Sequence, residues 1–351
     1  MRLTRQRHYV IVLFLVLAIL VAQTSQVTCE TYAVNGFEIQ TRLVPDKSTI
    51  MLGEPVYVSY IVDNLSEQDF DVIIGGDYRN RLGRKARFTV IVQGEDNRQV
   101  PQPDAGLGMG GTEGPRKVPA GGNHAFRLFL PHWATFQEVG NYTMVAKRIL
   151  VLIEHGEEQW LLNEKSTRVK TEATTKFRIV PLDEAKMGDI INRLGSAMFS
   201  KYTNESEEAS DALDYIKDER VIPYLIRASE TNRYVLKFSA LSALSKFDSE
   251  SAFKALQKGL EKEGEDNNIY HVAAGALARS PHPGAVPYLL SKRQHPYEGV
   301  RLTILHAVGK MKPNEAIPIL REMIHDEYAI IRTEAKRYLK LISKKNSASQ
   351  H

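Results

Sequence analysis

Apolar residues recur at a nearly fixed interval over the last third of the chain. Four segments share one apolar pattern, and they read VIPYL, AFKAL, AVPYL and AIPIL. Their third residues, separated by 31, 33 and 31 positions, are Pro223, Lys254, Pro287 and Pro318. A second apolar track, with steps of 33, 31 and 31 positions, comprises Leu244, Leu277, Val308 and Leu339. A period of this length is typical of stacked helix pairs, so an α-solenoid is predicted over residues 219–343.

Each repeat is predicted to contain two helices, called A and B here, because the two apolar tracks run in phase at helical spacing. The A helices are expected at about 219–231, 249–262, 283–294 and 313–325. The B helices are expected at about 234–247, 267–280, 298–311 and 328–342.

The last repeat, HDEYAIIRTEAKRYLKLI, carries a family pattern of Asp, then an apolar residue and Arg, then small residues and Leu. The matching positions are Asp326, Arg332, Ala335 and Leu339. Here the chain resembles the HEAT family in its short, phycobilisome-lyase-type form. Arg301 and Lys237 stand in the place of Arg332, while the second repeat departs with Tyr270. The resemblance implies an armadillo-like helical solenoid that binds proteins.

The basic residues at this position could bind a ligand or could hold repeats together. Arg301 and Arg332 precede the second apolar track by seven positions, about 20° short of two full helical turns. Both side chains are therefore expected on the core side of helix B. We predict that they pair with Glu298 and Asp326 and hold neighbouring repeats together.

The first half of the chain has the period of β-strands. From Pro55 to Asp63, Val56, Val58, Tyr60 and Val62 alternate with residues of the opposite face. Strands are predicted at 37–44, 55–63, 70–74, 86–92, 125–130, 142–153 and 167–180. About seven strands separated by turn residues, with no helix between them, fit a β-sandwich.

Two segments of this half, LGEPVYVSYIVDN and LPHWATFQEVGNYTMV, resemble immunoglobulin-like modules of secreted bacterial proteins. The resemblance implies a fold and no activity. Trp133 and Tyr142 are interpreted as core or inter-sheet packing residues, with stacking on a ligand as the alternative. Residues 101–122 are predicted to be a long loop. Its Gly106, Gly108 and Gly111 match a dinucleotide-binding pattern without the strand and helix that such a site requires.

The apolar period changes from two to that of a helix at about residue 183. A helix is predicted from Asp183 to about Phe199, and helical character returns from Asp211 to Lys217. Ten acidic and four basic residues lie between Asp183 and Glu219. Because repeat arrays need polar ends, residues 183–218 are predicted to form an acidic helical cap.

The N-terminus has the pattern of a secretory signal peptide, predicted over residues 1–29. Three arginines, Arg2, Arg5 and Arg7, precede thirteen apolar residues from Val10 to Ala22. That run is short for a membrane span, although an uncleaved anchor is the alternative. The mature protein is therefore expected to be secreted or periplasmic. Cys29 is the only cysteine, and Val27-Thr28 ahead of it match a lipoprotein site poorly, so anchoring there is not expected.

The net charge and a search for catalytic motifs narrow the range of functions that fit the sequence. The net charge of +4 falls to +1 without the three signal arginines, so nothing indicates a nucleic-acid partner. No common hydrolase or phosphate-binding pattern occurs, and the repeats lack the His-Glu pair that iron-binding HEAT-like hydroxylases use. His282, His295 and His325 are expected in loops. No catalytic residue, metal site or cofactor is predicted. Asn64, Asn141 and Asn204 head glycosylation motifs that matter only in a eukaryotic host.

The predicted fold class is thus a two-domain α and β protein, with an immunoglobulin-like β-sandwich at 30–182 before the cap and solenoid. Residues 344–351 are predicted to be a disordered tail. One function that fits is an exported, non-catalytic scaffold or adaptor that binds a protein partner through the solenoid. The other is a lyase-like enzyme, or a glycan-binding envelope protein that uses the β-sandwich.

A binding surface is predicted on the B helices. Positions two and six before the second apolar track point about 160° and 120° away from the core. Few of these positions are charged, although solvated positions usually are. We predict that a B-face stripe binds the partner, and its members are Phe238, His271, Leu302, His306 and Arg337. Burial of the stripe is the alternative. Thirteen basic and six acidic residues from Tyr270 to His351 favour an acidic or amphipathic partner segment.

Overall fold

The chain forms two compact units, Met1–Glu184 and Ala185–His351, in the computed structural model. The structure describes residues 29–73, 79–80, 88–103, 108–109, 115–156, 166–262 and 264–348. Most of the predicted signal peptide lies outside the described residues. Each unit has its own hydrophobic core. The N-terminal unit is rich in β-sheet and the C-terminal unit consists of helical repeats.

The strands of the first unit pair mainly in antiparallel fashion. They are β1 Glu30–Val34, β2 Phe37–Pro45, β3 Thr49–Met51, β4 Tyr57–Asn64, β5 Phe70–Ile73, β6 Arg79–Asn80, β7 Phe88–Gly94, β8 Gly108–Met109, β9 Pro115–Val118, β10 Asn123–Phe129, β11 Gly140–Glu154 and β12 Thr167–Val180. One sheet has the order β1-β2-β4-β10. Another has the order β3-β12-β11-β5-β9, with β7 also paired to β11. Strands β6 and β8 pair separately.

One core joins side chains from the two larger sheets. Val58, Tyr60 and Val62 of β4 are fully buried, as their alternation predicts. The hydroxyl of Tyr60 donates to Oγ1 of Thr171 on β12 at 2.7 Å, which links the sheets across the core. Trp133 is also buried, and the Tyr142 ring packs on Phe177 at a centroid distance of 6.1 Å. The packing interpretation of both residues is confirmed.

One prediction for this unit needs correction. Residues 101–122 are not one long loop, because β9 pairs with β5 inside that range. Strand β9 has a single fully buried residue, Val118, so its sequence lacks the alternation of a central strand. Asn64 is 1% exposed, and its amide donates to the carbonyl oxygens of Gln68 and Val118. This glycosylation motif is therefore inaccessible in the folded chain.

The helices of the second unit follow the predicted pairs closely. They are α1 Glu184–Ala197, α2 Thr203–Tyr215, α3 Ile222–Ser229, α4 Tyr234–Leu244, α5 Glu250–Glu261, α6 Asn267–Arg279, α7 Ala285–Ser291, α8 Glu298–Val308, α9 Pro313–Met323 and α10 Ala329–Ala348. The A helices are α3, α5, α7 and α9, and the B helices are α4, α6, α8 and α10. In the second apolar track Leu244, Leu277 and Val308 are fully buried. Those side chains share one core with the A helices.

The cap and the tail differ from their predictions. Helix α2 begins at Thr203, eight residues before the predicted Asp211, because the acidic residues after Thr203 favour a helix N-terminus. Helix α10 continues to Ala348, so the predicted disorder is wrong for residues 344–348, which contain no helix breaker. The remaining tail lies outside the described residues. No helix within the described parts of the chain is long and apolar enough to cross a membrane.

Candidate functional site

Ion pairs connect neighbouring repeats at the starts of the B helices. Arg301 on α8 is 5% exposed, and its Nε lies 2.9 Å from Oδ2 of Asp326, ahead of α10. Its Nη2 lies 2.9 Å from Oε1 of Glu327. In the first repeat, Lys237 on α4 pairs in the same way with Glu265, ahead of α6. Arg301 is therefore buried, as its angle predicts, and it pairs with carboxylates of the neighbouring repeat.

The groups that contact Arg301 and Arg332 differ in part from those predicted. Arg301 pairs with the carboxylates of the following repeat and not with Glu298. Arg332 donates from Nη1 to the carbonyl oxygens of Asp326 and Glu327, at 2.7 and 2.6 Å. It does not use the Asp326 carboxylate, because Arg301 occupies both of its oxygens. The hydrogen bonds that Arg301 donates to the Asp326 carboxylate raise the pKa of Arg301.

The B helices lie on the more closely packed side of the array. Helix α4 packs on α6, α6 on α8, and α8 on α10. Among the described A helices, only α3 and α5 approach one another as closely. Consecutive B helices therefore form one continuous face of the array.

Most of the B-face stripe is open to solvent. Phe238 is 40% exposed, which is unusual for an aromatic ring on a helix that packs on both neighbours. His271, His306 and Arg337 are also exposed. Leu302 is half-buried and packs against the helical core. The structure thus brings the five residues onto one surface, with Leu302 partly belonging to the core.

The stripe is apolar at its first end. The Phe238 ring lies 6.2 Å from the ring of Tyr234, one turn earlier on α4, and Tyr234 is 46% exposed. Val235, beside them, is 61% exposed. In the middle of the stripe, Nδ1 of His271 lies 3.5 Å from Oγ1 of Thr303 on α8. The stripe therefore begins with exposed apolar side chains on α4 and continues with a polar contact between α6 and α8.

The other end of the stripe is a polar cluster on α8 and α10. Nδ1 of His306 lies 3.3 Å from the hydroxyl of Tyr338. The guanidinium of Arg337 lies over the Tyr338 ring at 4.6 Å and pairs with Glu334 at 2.6 Å. The hydrogen bond from Arg337 lowers the pKa of Glu334. Glu334 therefore offsets the charge of Arg337 at this end of the stripe.

Sequence reasoning missed four members of this surface, which are Tyr234, Thr303, Glu334 and Tyr338. The repeat period and the helical spacing in the sequence could have identified Tyr234, Thr303 and Tyr338. His271 meets Thr303 and His306 meets Tyr338 at the same offset of 32 residues, which is the repeat period. Tyr234 stands four positions before Phe238, the spacing that places two side chains on one helix face. Within the described residues, no group of His, Cys, Asp and Glu has the arrangement of a metal site.

Comparison with known proteins identifies the repeats. A family model described as HEAT repeats matches residues 262–340. The C-terminal part of the chain is built of HEAT repeats. The matched segment runs from the end of α5 through most of α10 and includes four of the five stripe residues. No curated protein matches the chain.

Three solved structures show how distant the similarity is. The complex of CpcE and CpcF of phycocyanin lyase from Nostoc sp. PCC7120 is 18% identical over 43% of this chain and 98% of its own, with a TM-score of 0.35. Human deoxyhypusine hydroxylase in complex with glycerol is 21% identical over 34% of this chain, with a TM-score of 0.31. This chain spans 42% of the hydroxylase. Computationally designed armadillo repeat proteins for modular peptide recognition are 13% identical over 44% of this chain and 83% of their own, with a TM-score of 0.31. Similarity this low carries no inference about activity.

Proposed function

We propose that this chain is a non-catalytic scaffold or adaptor that binds a segment of a protein partner along the B-face stripe. The observation that carries the proposal is the solvent exposure of Phe238, His271, His306 and Arg337 on the closely packed side of the HEAT repeats. An exposed aromatic ring flanked by exposed apolar neighbours is the kind of anchor on which protein interfaces depend.

The dimensions of the stripe suit an extended or helical segment. Neighbouring helices pack at about 8–10 Å, so three steps from α4 to α10 span roughly 30 Å. About nine residues of extended chain have this length at about 3.3 Å per residue. The partner's apolar end would contact Tyr234 and Phe238, and its polar end would contact His306 and Arg337. We favour an amphipathic segment over a strongly acidic one, because Glu334 offsets Arg337.

Two aspartates introduced into the stripe should abolish this interaction without unfolding the protein. We expect the double variant Phe238→Asp, His306→Asp to lose at least about 30-fold in affinity, since truncating one aromatic anchor costs about 2 kcal/mol or more. Both side chains are exposed, so the melting temperature should change little. The measurement is affinity capture from an extract, quantified for wild type and variant in parallel.

A matched control adds the same two charges to the A helices. Ser251→Asp and Asn314→Asp replace exposed neutral residues in the first turns of α5 and α9, where a carboxylate is tolerated. The control should capture the partner as wild type does. Equal capture by the stripe variant, or an equal loss in the control, would remove the stripe as the binding surface.

We further propose that the sheet-rich unit is an immunoglobulin-like module and that the chain is exported. Support for the module comes from two sheets that share one core and pair mainly antiparallel. Support for export comes from the basic and apolar pattern of the first 22 residues.

Export predicts that a reporter fused after Thr31 will lie outside the cytoplasm. The physical reason is the thirteen-residue apolar run, which has the length of a signal peptide core. The measurement is reporter activity in the exported and cytoplasmic fractions. The same fusion with Leu15→Arg and Leu17→Arg, which place two charges inside the run, is the control and should stay inside. Cytoplasmic retention of the unaltered fusion would contradict the proposal.

A further inference from the structure

The ion pairs between repeats are interrupted at one junction. The fourth residue of the B helix is Lys237 in α4 and Arg301 in α8, and each pairs with a carboxylate ahead of the next B helix. In α6 the fourth residue is Tyr270. The residue that corresponds to Asp326 in the next repeat is His295, and its ring lies 5.2 Å from the Tyr270 ring. An aromatic contact therefore replaces the cation and carboxylate between the second and third repeats.

A cleft of about 560 Å³ opens at this junction. It lies between the ends of α5 and α7 and the beginnings of α6 and α8. Its aromatic walls are Tyr270, His295 and Tyr297, all half-buried, with 6.4 Å between the two tyrosine rings. Its charged lining consists of Glu261, Lys292 and Glu298.

The aromatic walls are held in place by specific contacts. The hydroxyl of Tyr270 donates to the carbonyl oxygen of Lys262 at 2.7 Å. Nδ1 of His295 accepts from the backbone N–H of Tyr297 at 3.1 Å, so this nitrogen carries no proton. Burial lowers the pKa of His295. The Tyr297 ring lies over Gly299, where a Cβ would come within 2.6 Å of it. The cleft is therefore formed before any ligand arrives.

The charges that face the cleft leave an excess of negative charge. Lys292 pairs with Glu261 at 2.8 Å, and Arg301 is already neutralised by Asp326 and Glu327. Within the described residues, Glu298 of the cleft lining forms no ion pair. Burial raises the pKa of Tyr297, and the charges of Glu298 and Asp266 raise it further. Two helix C-termini and two helix N-termini surround the cleft, so their dipoles largely offset one another.

We propose that this cleft binds an arginine side chain of a protein partner, which supplies the cation that Tyr270 replaces in this repeat. A planar guanidinium can stack on the tyrosine rings while it donates to the carboxylate of Glu298, and a lysine ammonium lacks the planar group. This inference rests on the proposed function, because it assumes a protein partner. It adds a specificity pocket at the loop end of the B helices, separate from the B-face stripe.

The test uses the full chain and three short peptides, acetyl-Gly-Arg-Gly-amide and its citrulline and lysine counterparts. Citrulline has the shape of arginine without its charge. We expect the arginine peptide to shift the ring resonances of Tyr270 and Tyr297 in a saturable titration. Citrulline should bind at least about tenfold more weakly, and lysine should fall between them. Equal titrations for arginine and citrulline, or shifts at other tyrosines only, would overturn the proposal.

Two variants separate the cleft from a nonspecific surface effect. Tyr270→Arg fills the cleft with a guanidinium of the chain itself. This variant should therefore no longer bind the arginine peptide, while its fold is retained. Tyr270→Phe keeps the ring and should still bind the peptide. Glu298→Gln should weaken binding by about tenfold with an unchanged circular dichroism spectrum. Undiminished binding by Tyr270→Arg would refute the assignment.

The result of the arginine-peptide titration does not depend on the B-face stripe. The variant Phe238→Asp, His306→Asp alters exposed residues outside the cleft lining, so it should titrate with the arginine peptide as wild type does. A stripe variant that keeps the natural partner while the cleft still binds arginine would refute only the proposed stripe. A wild-type chain that captures its partner but fails to bind the arginine peptide would refute only the cleft.

Discussion

Replacing Arg301 by alanine is expected to lower the free energy of unfolding of the helical unit by about 3–5 kcal/mol. The Arg301 and Asp326 side chains are 5% and 8% exposed, so the substitution leaves a buried carboxylate without its cation. It also removes the donor to the carbonyl oxygens of His295 and Pro296. Urea unfolding followed by helical circular dichroism measures the change.

Arg293→Ala is the matched control for this prediction. Arg293 also pairs with a carboxylate of the next repeat, Glu322, at 2.8 Å, but the two side chains are 41% and 45% exposed. Because solvent screens such a pair, we expect a change of about 0–1 kcal/mol. The double variant Arg301→Met, Asp326→Leu should recover much of the lost stability, since it leaves no buried charge. Equal losses for Arg301→Ala and Arg293→Ala would show that Arg301 does not hold the repeats together.

The helical repeats were predictable because their apolar period is long, regular and carried by two tracks. Helices α4, α6 and α8 begin at the predicted residues 234, 267 and 298. The A helices are shorter than predicted. Helix α7 spans Ala285–Ser291, and the chain then turns through His295, whose ring packs on Tyr270. Contacts of this kind depend on the neighbouring repeat, so helix ends cannot be derived from the period alone.

In the sheet-rich unit the longer strands were predictable, including β10 at the edge of its sheet. Strands β4 and β12 alternate because each has one face in the core. Among the missed strands, β1, β3 and β9 are sheet edges of three to five residues, and β6 and β8 have two residues each. An edge strand buries fewer side chains and therefore carries little alternation.

The candidate site was partly predictable from helical geometry. Angles around each B helix place Phe238, His271, His306 and Arg337 outside the core, and the structure exposes them. The half-burial of Leu302 depends on packing against neighbouring helices, which no single-helix angle contains. The cleft was also not predictable from the angles around one helix, because it requires Gly299 to leave room for the Tyr297 ring.

Replacing Phe126 by alanine is expected to destabilise the sheet-rich unit by about 3–5 kcal/mol and to leave the helical unit unchanged. Phe126 is 2% exposed, and its ring lies 5.6 Å from Phe88 and 6.4 Å from Tyr60. The Arg148 guanidinium lies 4.3 Å from its centroid, so the truncation also removes a cation–π contact.

Two probes distinguish the units in this experiment. Both tryptophans, Trp133 and Trp160, precede residue 184, so fluorescence follows the first unit, while helical circular dichroism follows the second. For Phe126→Ala, the fluorescence midpoint in urea should fall and the helical midpoint should stay. The exposed control Thr89→Ala should change the free energy of unfolding reported by fluorescence by less than about 0.5–1 kcal/mol. Leu305→Ala, in the helical core, should reverse the pattern. Because each of these core residues belongs to one unit, a common shift of both probes in either core variant would mean that the two units unfold as one.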